Sequence, residues 1–379
     1  MKKIALIGST GSIGRQALSV VRRHKDEFEI ISLAAGTNVG EFLSQVKEFK
    51  PRVATLSLTN QDIEKEIPKG VDFYSGENAF TNAIVDEADI VLVSLVGFKG
   101  IIAVLDAIEK GKDIALANKE SLVVGGDLVM RKAKEKGVKI FPVDSEHSAI
   151  WQALNFDYNK PFNKIILTCS GGAFRDLTKE QLSKVTYKDA LLHPNWNMGA
   201  KITVDCATLV NKAFEVIEAK WLYNTNFDKI DVIIHRESII HSMVEYLDGS
   251  VIAQMSYPTM ELPITLALSG GERKTAGLNS LDFAKLKTLS FESVDNERFP
   301  CFKLVLDTAK FGGNYPAVVN GANEMAVKLF LEGKISYNDI YKALFGTVQS
   351  FFGGHHTDLE ELQEADRFGR NYVKELFGV

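Results

Sequence analysis

The sequence is poor in cysteine, has no excess of basic residues and contains no long hydrophobic run. Its three cysteines among 379 residues are widely separated and include no CxxC pair, which argues against a disulfide framework and a structural zinc site. The net charge of −5 argues against nucleic acid as a partner. No apolar run approaches the roughly 20 residues that a membrane span requires, and the opening run IALI is too short for a signal peptide. We therefore expect a cytoplasmic protein.

Short apolar runs alternate with helix-like segments over the first 145 residues. The runs lack polar–apolar alternation, which is typical of strands buried on both faces of a sheet. This pattern predicts an α/β region with a Rossmann-like parallel sheet. The runs are residues 4–7, 29–34, 52–56, 89–95, 113–117 and 138–143.

The remainder of the chain changes pattern twice. Two β-rich runs flank Asp248 and Gly249, a dipeptide typical of a type I′ hairpin, so this region is predicted to be α+β with antiparallel strands. Beyond Phe302 we find helical periodicity only, which predicts a C-terminal helical bundle. The predicted division is a Rossmann-like dinucleotide-binding domain over 1–145, an α+β domain over 146–270, a connecting segment over 271–301 and a helical domain over 302–379.

A glycine-rich turn, GSTGSIG at residues 8–14, stands between the first apolar run and a helical segment. In such a turn the N–H groups of the helix N-terminus can bind a pyrophosphate. The spacing is GxxGxxG rather than GxGxxG, and a tight turn without a ligand is the alternative. After the second run the chain continues Ala35, Gly36, Thr37, Asn38, without the acid that NAD-preferring sites place there. The turn therefore predicts dinucleotide binding, with NADP favoured over NAD.

Two carboxylates follow the last apolar run of this region. On an extended backbone Asp144 and Glu146 point to the same side, and they repel each other unless a cation or a proton lies between them. Oxygen ligands suit Mg²⁺ or Mn²⁺. The alternative is that Asp144 caps a helix starting near Ser145, with Glu146 in its first turn.

A second polar cluster lies in VDCATLVNKAFEVIEAKW. Helical spacing places Asn211, Lys212 and Glu215 on one face of the predicted helix. The alternative is an ordinary solvated lysine–glutamate pair. The segments SGGAFR and HPNWNMGAK are rich in glycine, proline and polar residues and are predicted to be binding loops. Serine, histidine, asparagine and lysine side chains converging from these segments would form a phosphate pocket.

Together these motifs resemble those of the 1-deoxy-D-xylulose 5-phosphate reductoisomerase family. GSTGSIG, LANKES, VDSEHSA, SGGAFR, HPNWNMG, NKAFEVIEA and NGANEMAV occur in the family's order, and the resemblance covers essentially the whole chain. It implies an NADPH-dependent homodimeric enzyme of non-mevalonate isoprenoid biosynthesis that also requires Mg²⁺, Mn²⁺ or Co²⁺. The implied reaction rearranges and reduces 1-deoxy-D-xylulose 5-phosphate to 2-C-methyl-D-erythritol 4-phosphate. Whether bond cleavage precedes bond formation stays open.

The resemblance also implies a role for individual residues. Asp144, Glu146 and Glu215 would bind the metal and, with Lys119, would be the catalytic residues. Trp196 would lie on a lid over the substrate. The cofactor-binding residues would be Thr10, Gly11, Ser12, Ile13, Gly36, Thr37, Asn38, Asn118, Glu120 and Gly199. The substrate-binding residues would be Lys119, Ser145, Glu146, Ser170, His193, Trp196, Cys206, Asn211, Lys212 and Glu215.

The sequence departs from the family pattern at a few positions. Cys206 stands where the family usually has a serine that donates to the phosphate, and a thiol is the weaker donor. We therefore expect phosphate affinity to rely on Ser170, Asn211 and Lys212. Thr37 replaces a lysine found in many members, which bears on NADP preference. In YPTMELP, Thr259 and Glu261 replace an aspartate and a basic residue, either near the substrate or as a structural exchange away from it.

Two other functions fit part of the sequence. A semialdehyde dehydrogenase of the aspartate pathway would share the glycine turn, but it needs a nucleophilic cysteine and no metal site. A non-catalytic NADP-binding sensor would also share the turn, but it has no use for Lys119, Asp144, Glu146, His193 and Glu215 together. Substituting the carboxylates discriminates, since only an enzyme would lose turnover with cofactor binding intact.

Overall fold

The computed structural model describes residues 1–59, 61–196, 198–354 and 358–379. The chain forms two compact units, each assembled from separated stretches of sequence. The first unit contains Met1–Asn118, Val129–Ser148 and Thr259–Leu278. The second unit contains Lys119–Leu128, Ala149–Pro258 and Asn279–Val379.

The first unit is built on a seven-stranded parallel sheet. Its strand order is β4-β3-β2-β1-β5-β6-β7, so the chain fills one side of β1 and then the other, and the order reverses between β1 and β5. Ligands of open α/β sheets bind at the carboxyl ends of the strands at such a reversal. The strands are Lys2–Ile7 (β1), Phe28–Ala35 (β2), Val53–Leu56 (β3), Asp72–Ser75 (β4), Ile90–Val93 (β5), Asp113–Leu116 (β6) and Ile140–Pro142 (β7).

The central strands are buried on both faces, which confirms the predicted Rossmann-like parallel sheet. Ile4 to Ile7 of β1 and all four residues of β5 are at most 1% exposed. The edge strand β4 was not predicted. Its residues are polar or partly exposed, so it carries no apolar run by which it could be recognised.

Helices connect the strands in the order that a parallel sheet requires. Helix α5 contains a non-helical residue, Gly125, and contributes its first turns to the second unit and its remainder to the first. The helices of this part of the chain are Ser12–Arg23 (α1), Val39–Phe49 (α2), Gln61–Glu64 (α3), Lys99–Glu109 (α4), Glu120–Lys136 (α5) and Ser145–Ala153 (α6), with a short 3-10 helix at Ala79–Ala83.

The second unit contains a five-stranded mixed sheet with the order β11-β10-β8-β9-β12. β8 pairs with β9 in parallel, whereas β10 pairs with β8 and with β11 in antiparallel fashion. The predicted α+β character is thereby confirmed. The strands are Lys164–Cys169 (β8), Ile230–Ile234 (β9), Ile240–Glu245 (β10), Val251–Met255 (β11) and Glu292–Ser293 (β12).

The hairpin between β10 and β11 is present, but its predicted turn type is wrong. The N–H of Tyr246 donates to the carbonyl of Ser250 (2.8 Å) and the N–H of Gly249 to that of Tyr246 (3.0 Å), which closes a three-residue loop. Gly249 has φ 82°, whereas Asp248 is not among the residues with positive φ. A type I′ turn needs positive φ at both central residues.

The helices of the remaining chain complete both units. From Pro300 onward the described residues form helices and connections only, which confirms the predicted C-terminal helical region; it belongs to the same compact unit as the second sheet. The helices are Lys179–Leu182 (α7), Tyr187–Ala190 (α8), Ala200–Thr208 (α9), Val210–Leu222 (α10), Glu261–Leu268 (α11), Phe283–Leu286 (α12), Pro300–Lys310 (α13), Tyr315–Leu331 (α14), Tyr337–Ser350 (α15) and Leu359–Phe377 (α16), with a 3-10 helix at Phe227–Lys229.

The units do not follow the boundaries predicted from sequence. Thr259–Leu278, predicted to lie partly in the α+β domain, belongs to the first unit. There α11 packs on α1, and Glu261 forms an ion pair with Arg23 (2.6 Å) and accepts a hydrogen bond from Ser19 (2.9 Å). The predicted connecting segment is not merely a linker either, because its β12 pairs with β9. None of the helices among the described residues has the length and apolar character needed to cross a bilayer.

Candidate active site

The glycine-rich turn joins β1 to α1 at the strand-order reversal of the first sheet. Gly8 has φ 99°, and a Cβ at Gly14 would lie 2.3 Å from the carbonyl oxygen of Gly8, so neither position accepts a side chain without displacement. Gly11 is the N-cap of α1 and, among the described residues, no side chain caps this helix. The backbone N–H groups of Ser12 and Ile13, the first two residues of α1, are therefore available to an anion. Thr10 lies just before the N-cap, in the same turn.

The loop after β2 holds the predicted adenosine-side residues Gly36, Thr37 and Asn38. Asn38 is the N-cap of α2, and its amide donates to Glu41 Oε2 (2.9 Å). Arg15 of α1 donates to the same carboxylate oxygen (3.0 Å). Neither Arg15 nor Glu41 was predicted from the sequence as part of this site. The cation lies beside the loop in which Thr37 replaces a lysine found in many members, and the ion pairs of α1 with α2 hold it there.

Asn118 follows β6 and is buried. Its amide donates to the carbonyl oxygens of Leu95 (2.9 Å) and Gly97 (3.1 Å) in the loop after β5. This predicted cofactor residue therefore joins two neighbouring loops at the carboxyl edge of the sheet, where the glycine turn also lies. A Cβ at Gly100 would lie 1.9 Å from Asn118 Oδ1, so the amide also requires a glycine in α4.

The carboxylates of Asp144 and Glu146 do approach each other, but the predicted extended backbone between them is wrong. β7 ends at Pro142, and α6 begins at Ser145, so Glu146 lies in the first helical turn. The N–H of Ser148 donates to the carbonyl of Asp144 (2.8 Å). A carboxylate oxygen of Asp144 and one of Glu146 lie within 4.8 Å of each other, close enough to share a cation. Ser145 Oγ donates to Glu146 Oε2 (2.5 Å).

In the second unit the predicted helix over 204–221 is two helices. The chain breaks at Leu209, which has φ 58° and separates α9 from α10. The predicted face of α10 is nevertheless present, because Asn211, Lys212 and Glu215 all follow the break within one regular helix. All three are buried, with Glu215 only 1% exposed, so the solvated-pair alternative is wrong.

Buried charges converge on Glu215. Lys119 donates to Glu215 Oε1 (3.2 Å) and to Asn211 Oδ1 (2.7 Å), and Lys212 forms an ion pair with the other carboxylate oxygen. The amide of Asn211 also donates to Glu215 Oε1 (2.5 Å). Two ammonium groups and an amide therefore lie together beside one carboxylate. Charged donors of this kind can bind an anionic ligand.

His193 and Ser170 form a second predicted pair. His193 Nδ1 accepts the backbone N–H groups of Asn195 (3.2 Å) and Trp196 (3.0 Å), so its proton resides on Nε2, which lies 3.0 Å from Ser170 Oγ. Burial, followed by the charge of Arg175, lowers the pKa of His193 to about 4. Ser170 Oγ also accepts the N–H of Gly172 (3.2 Å), so the serine's own proton can be donated to a ligand.

The middle of the HPNWNMG loop contacts the second sheet at the turn between β9 and β10 and at β10 itself. The Asn195 amide donates to Arg236 O and to Ser238 Oγ, both at 2.7 Å, and the Trp196 ring packs edge-on against His241 with centroids 6.1 Å apart. Asn197 of this loop lies outside the described residues. Gly199, predicted to contact the cofactor, is the N-cap of α9.

Cys206 lies on α9 and is only partly accessible. Burial raises the pKa of its thiol far above the ordinary value, with Lys119 as the largest opposing influence. The thiol is therefore neutral near pH 7 and is a weak hydrogen-bond donor rather than a nucleophile. This property argues against the semialdehyde dehydrogenase alternative.

The two units carry the elements of a recognisable class of enzyme. A Rossmann-type sheet with an open glycine turn at its strand-order reversal is typical of a nicotinamide-dependent oxidoreductase, and the ammonium groups of the second unit suit an anionic ligand. Comparison with known proteins specifies the class further. Residues 4–126 match the 1-deoxy-D-xylulose 5-phosphate reductoisomerase model, residues 140–223 the model of its C-terminal domain, and residues 255–372 a further DXP reductoisomerase C-terminal domain.

Similar proteins match over their full lengths. The chain is 47% identical to 1-deoxy-D-xylulose 5-phosphate reductoisomerase of Chlorobium chlorochromatii over 380 residues, 99% of each chain. It is 46% identical to that of Listeria monocytogenes over 99% of this chain and 100% of the relative. Among solved structures, the Zymomonas mobilis enzyme with NADPH superposes with a TM-score of 0.92 at 37% identity, covering 99% of each chain. A DOX-P reductoisomerase with NADPH, fosmidomycin and magnesium gives 0.95 at 35% identity, over 100% of this chain and 98% of the other.

The chain belongs to the 1-deoxy-D-xylulose 5-phosphate reductoisomerase family. It is an NADP-dependent oxidoreductase, as its fold and its resemblance to the family predicted.

Proposed function

We propose that this protein converts 1-deoxy-D-xylulose 5-phosphate into 2-C-methyl-D-erythritol 4-phosphate with NADPH and a divalent metal ion, a step of non-mevalonate isoprenoid biosynthesis. Family membership supports the reaction. The observation that carries it within this chain is the buried cluster of Lys119, Asn211, Lys212 and Glu215, whose two ammonium groups and amide are the donors that a sugar phosphate needs. A sensor without catalysis would have no need for this buried charge.

NADPH would bind at the first sheet. The uncapped start of α1 suits a pyrophosphate, and a Cβ at Gly36 would meet no atom within 4 Å, so the loop after β2 has room for the adenosine. The bound cofactor supplies the hydride of the reduction. The proposed cofactor-binding residues are Thr10, Gly11, Ser12, Ile13, Gly36, Thr37, Asn38, Asn118, Glu120 and Gly199.

The metal ion would be held by Asp144, Glu146 and Glu215. Carboxylate oxygens are the ligands that Mg²⁺ prefers, and the approach of Asp144 to Glu146 within 4.8 Å fits a shared cation. Mn²⁺ and Co²⁺ are the other candidates. When bound, the metal supplies Lewis-acid stabilisation of negative charge on substrate oxygens.

The substrate would be oriented by groups at its two ends. Ser170, His193, Cys206, Asn211 and Lys212 would hold the phosphate, with the serine hydroxyl donating because its oxygen already accepts two hydrogen bonds. Lys119 and Ser145 would contact the oxygenated carbons. Trp196 would cover the substrate and exclude water. Binding energy from the remote phosphate can then serve orientation of the reacting carbons.

We also propose a division of labour along the chain. Residues 1–145 would bind NADPH, residues 146–270 would supply most of the substrate and metal groups, and residues 302–379 would support them as a helical domain. The packing of Thr259–Leu278 in the first unit supports assigning that stretch to the cofactor side instead.

A homodimer is the proposed assembly. β11 is the outermost strand of the second sheet, and its Val251 and Ile252 are 46% and 47% exposed. Such an edge is a template for pairing with another strand, and a two-fold axis would place the same strand of a second copy there. Sedimentation should give a dimer for the natural chain and a monomer for Ile252→Lys. A monomeric natural chain, or a dimer that tolerates the lysine, would contradict this interface.

The proposed location is the cytoplasm. The three cysteines are joined by no disulfide among the described residues, as expected in a reducing compartment.

Turnover is tested by the loss of NADPH absorbance after addition of 1-deoxy-D-xylulose 5-phosphate, with Mg²⁺ or Mn²⁺ and again after EDTA. We expect metal-dependent oxidation, and we expect Asp144→Asn and Glu215→Gln to abolish it while NADPH still binds. Asp307→Asn changes a partly exposed acid on α13; it is the matched control and should keep full activity. NADPH binding without turnover under any divalent metal would refute the proposal.

A further inference from the structure

A buried polar network joins three helices of the second unit. Lys201, in the first turn of α9, forms ion pairs with Glu120 at the start of α5 and with Asp205 on its own helix, each at 2.8 Å. Asn323 of α14 donates to the other oxygen of Asp205 (2.8 Å). Asp205 is 1% exposed and Asn323 is fully buried. The ammonium of Lys201 also lies 5.4 Å from the ring centroid of Phe214 on α10.

The members of this network are proposed site residues or their chain neighbours, and Glu120 is itself proposed to bind the cofactor. Glu120 follows Lys119, whose ammonium contacts Asn211 and Glu215. Asp205 precedes Cys206, and Lys201 stands two residues after Gly199. The network thus holds the backbone at the start of α5 and along α9 without any of its side chains belonging to the cationic cluster around Glu215.

The surroundings favour the charged forms of Lys201 and Glu120. Burial would lower the pKa of Lys201, but Asp205 and Glu120 outweigh burial, and the pKa is raised. The pKa of Glu120 is lowered, although its burial acts in the opposite direction, because Lys201 lies beside it. Burial raises the pKa of Asp205, so the second carboxylate is the costlier of the two to keep charged.

We propose that Lys201 is a positioning residue for the reaction: by tying α9 to the start of α5 it places the Lys119 ammonium and the α9 segment that carries Cys206. This inference rests on the proposed function, since it assigns Lys119 to the substrate. It also gives the NGANEMAV motif a role, because Asn323 of that motif anchors Asp205, and with it α9, to α14. A misplacement of about 1 Å at a reacting group can cost roughly 100-fold in rate.

The same helix α14 offers a matched control. One turn before Asn323, Asn320 donates to Asp366 (3.1 Å), and Arg370 forms ion pairs with Asp366 (2.6 Å) and Glu324 (2.5 Å). Both networks therefore place one cation between two carboxylates, with an asparagine of α14 bound to one carboxylate in the first network and to both in the second. In the control network the cation lies on α16, and no member adjoins a proposed site residue in sequence. Its Glu324 also helps to raise the pKa of Lys201, after Asp205 and Glu120.

The test compares Lys201→Gln with Arg370→Gln in the full-length protein. We expect both to lower Tm, because each leaves two carboxylates with one cation fewer. Only Lys201→Gln should lower kcat, by roughly 10- to 100-fold at a temperature well below both melting points. Hydrogen exchange should accelerate at the first turns of α5 and α9 in Lys201→Gln alone.

The double variant Lys201→Gln/Asp205→Asn separates stability from positioning and serves if the single variant fails to fold. Only one buried carboxylate, Glu120, then lacks the Lys201 ammonium instead of two, so Tm should recover in part. The value of kcat should stay low because the tie between α9 and α5 is still absent. Recovery of kcat together with Tm, or a kcat within about twofold of the natural protein in Lys201→Gln, would show a structural role only and overturn the inference. If the natural protein itself gave no turnover, the proposed function would fail instead, and the exchange rates would still test the tie.

Discussion

The substitution of Lys212 by glutamine tests most directly whether the cluster on α10 binds the substrate phosphate. Lys212 is 3% exposed and shares Glu215 with Lys119. The substitution removes one of the two ammonium groups that contact Glu215. Glu215 keeps Lys119 at 3.2 Å and Asn211 at 2.5 Å, so the remaining carboxylate stays paired and the fold should survive.

The expected magnitude follows from the bond that is lost. A hydrogen bond between charged groups contributes about 1.5–3 kcal/mol, and each 1.4 kcal/mol corresponds to a factor of about ten. KM for 1-deoxy-D-xylulose 5-phosphate should therefore rise by roughly 10- to 100-fold in Lys212→Gln. The dissociation constant of NADPH, measured by fluorescence titration, should not change.

The control is Lys220→Gln, which removes a lysine from the other end of the same helix. Lys220 lies over the Trp221 ring, 3.7 Å from its centroid, and forms no part of the Glu215 cluster. Its substitution should leave KM within about twofold of the natural value. Steady-state kinetics that gave the same KM for Lys212→Gln as for the natural protein would refute the phosphate assignment.

Further predictions concern four other positions. Cys206→Ser should lower KM for the substrate by about two- to fivefold, because a hydroxyl donates more strongly than the neutral thiol; an unchanged or higher KM would contradict this. His193 should titrate near pH 4 by NMR. Its neutral form therefore contributes to the free energy of unfolding fully above about pH 6.5, and this contribution is lost as the pH falls toward 4. An imidazole pKa at or above the ordinary value would refute the burial of His193. If Arg15 contacts the 2′-phosphate, Arg15→Gln should weaken the binding of NADPH by about tenfold more than the binding of NADH, as measured by direct titration. An equal loss of affinity for both cofactors would exclude this contact. Glu261→Ala should lower the free energy of unfolding by about 1 kcal/mol through loss of the Arg23 and Ser19 contacts, with unchanged kcat; normal stability with altered kinetics would place Glu261 near the substrate instead.

Local sequence patterns predicted most of the fold. The six apolar runs of the first region all contain strands, and the helices after residue 300 were recognised from their periodicity. The predictions missed two structural features that leave no mark in the local sequence. The polar strand β4 has no apolar run, and the break between α9 and α10 falls at Leu209, a residue that carries no glycine or proline signature for a left-handed conformation.

The site residues also divide into those that a local pattern predicted and those that only contacts between distant segments reveal. Helical spacing was sufficient to place Asn211, Lys212 and Glu215 on one face. It could not reveal that Lys119, more than ninety residues earlier, contacts the same carboxylate. Arg15 beside Asn38, and Lys201 between Glu120 and Asp205, were likewise missed because ion pairs between distant segments leave no periodic signal.

By itself, the sequence determined the strand and helix pattern, the glycine turn and the family, because each depends on short-range stereochemistry or on the order of motifs along the chain. Only the tertiary structure decided which charges are buried, which of them are paired, and that α11 joins the first unit through Glu261, Arg23 and Ser19. The physical reason is that the energy of a charged group depends on its solvation and on neighbours brought in from remote parts of the chain.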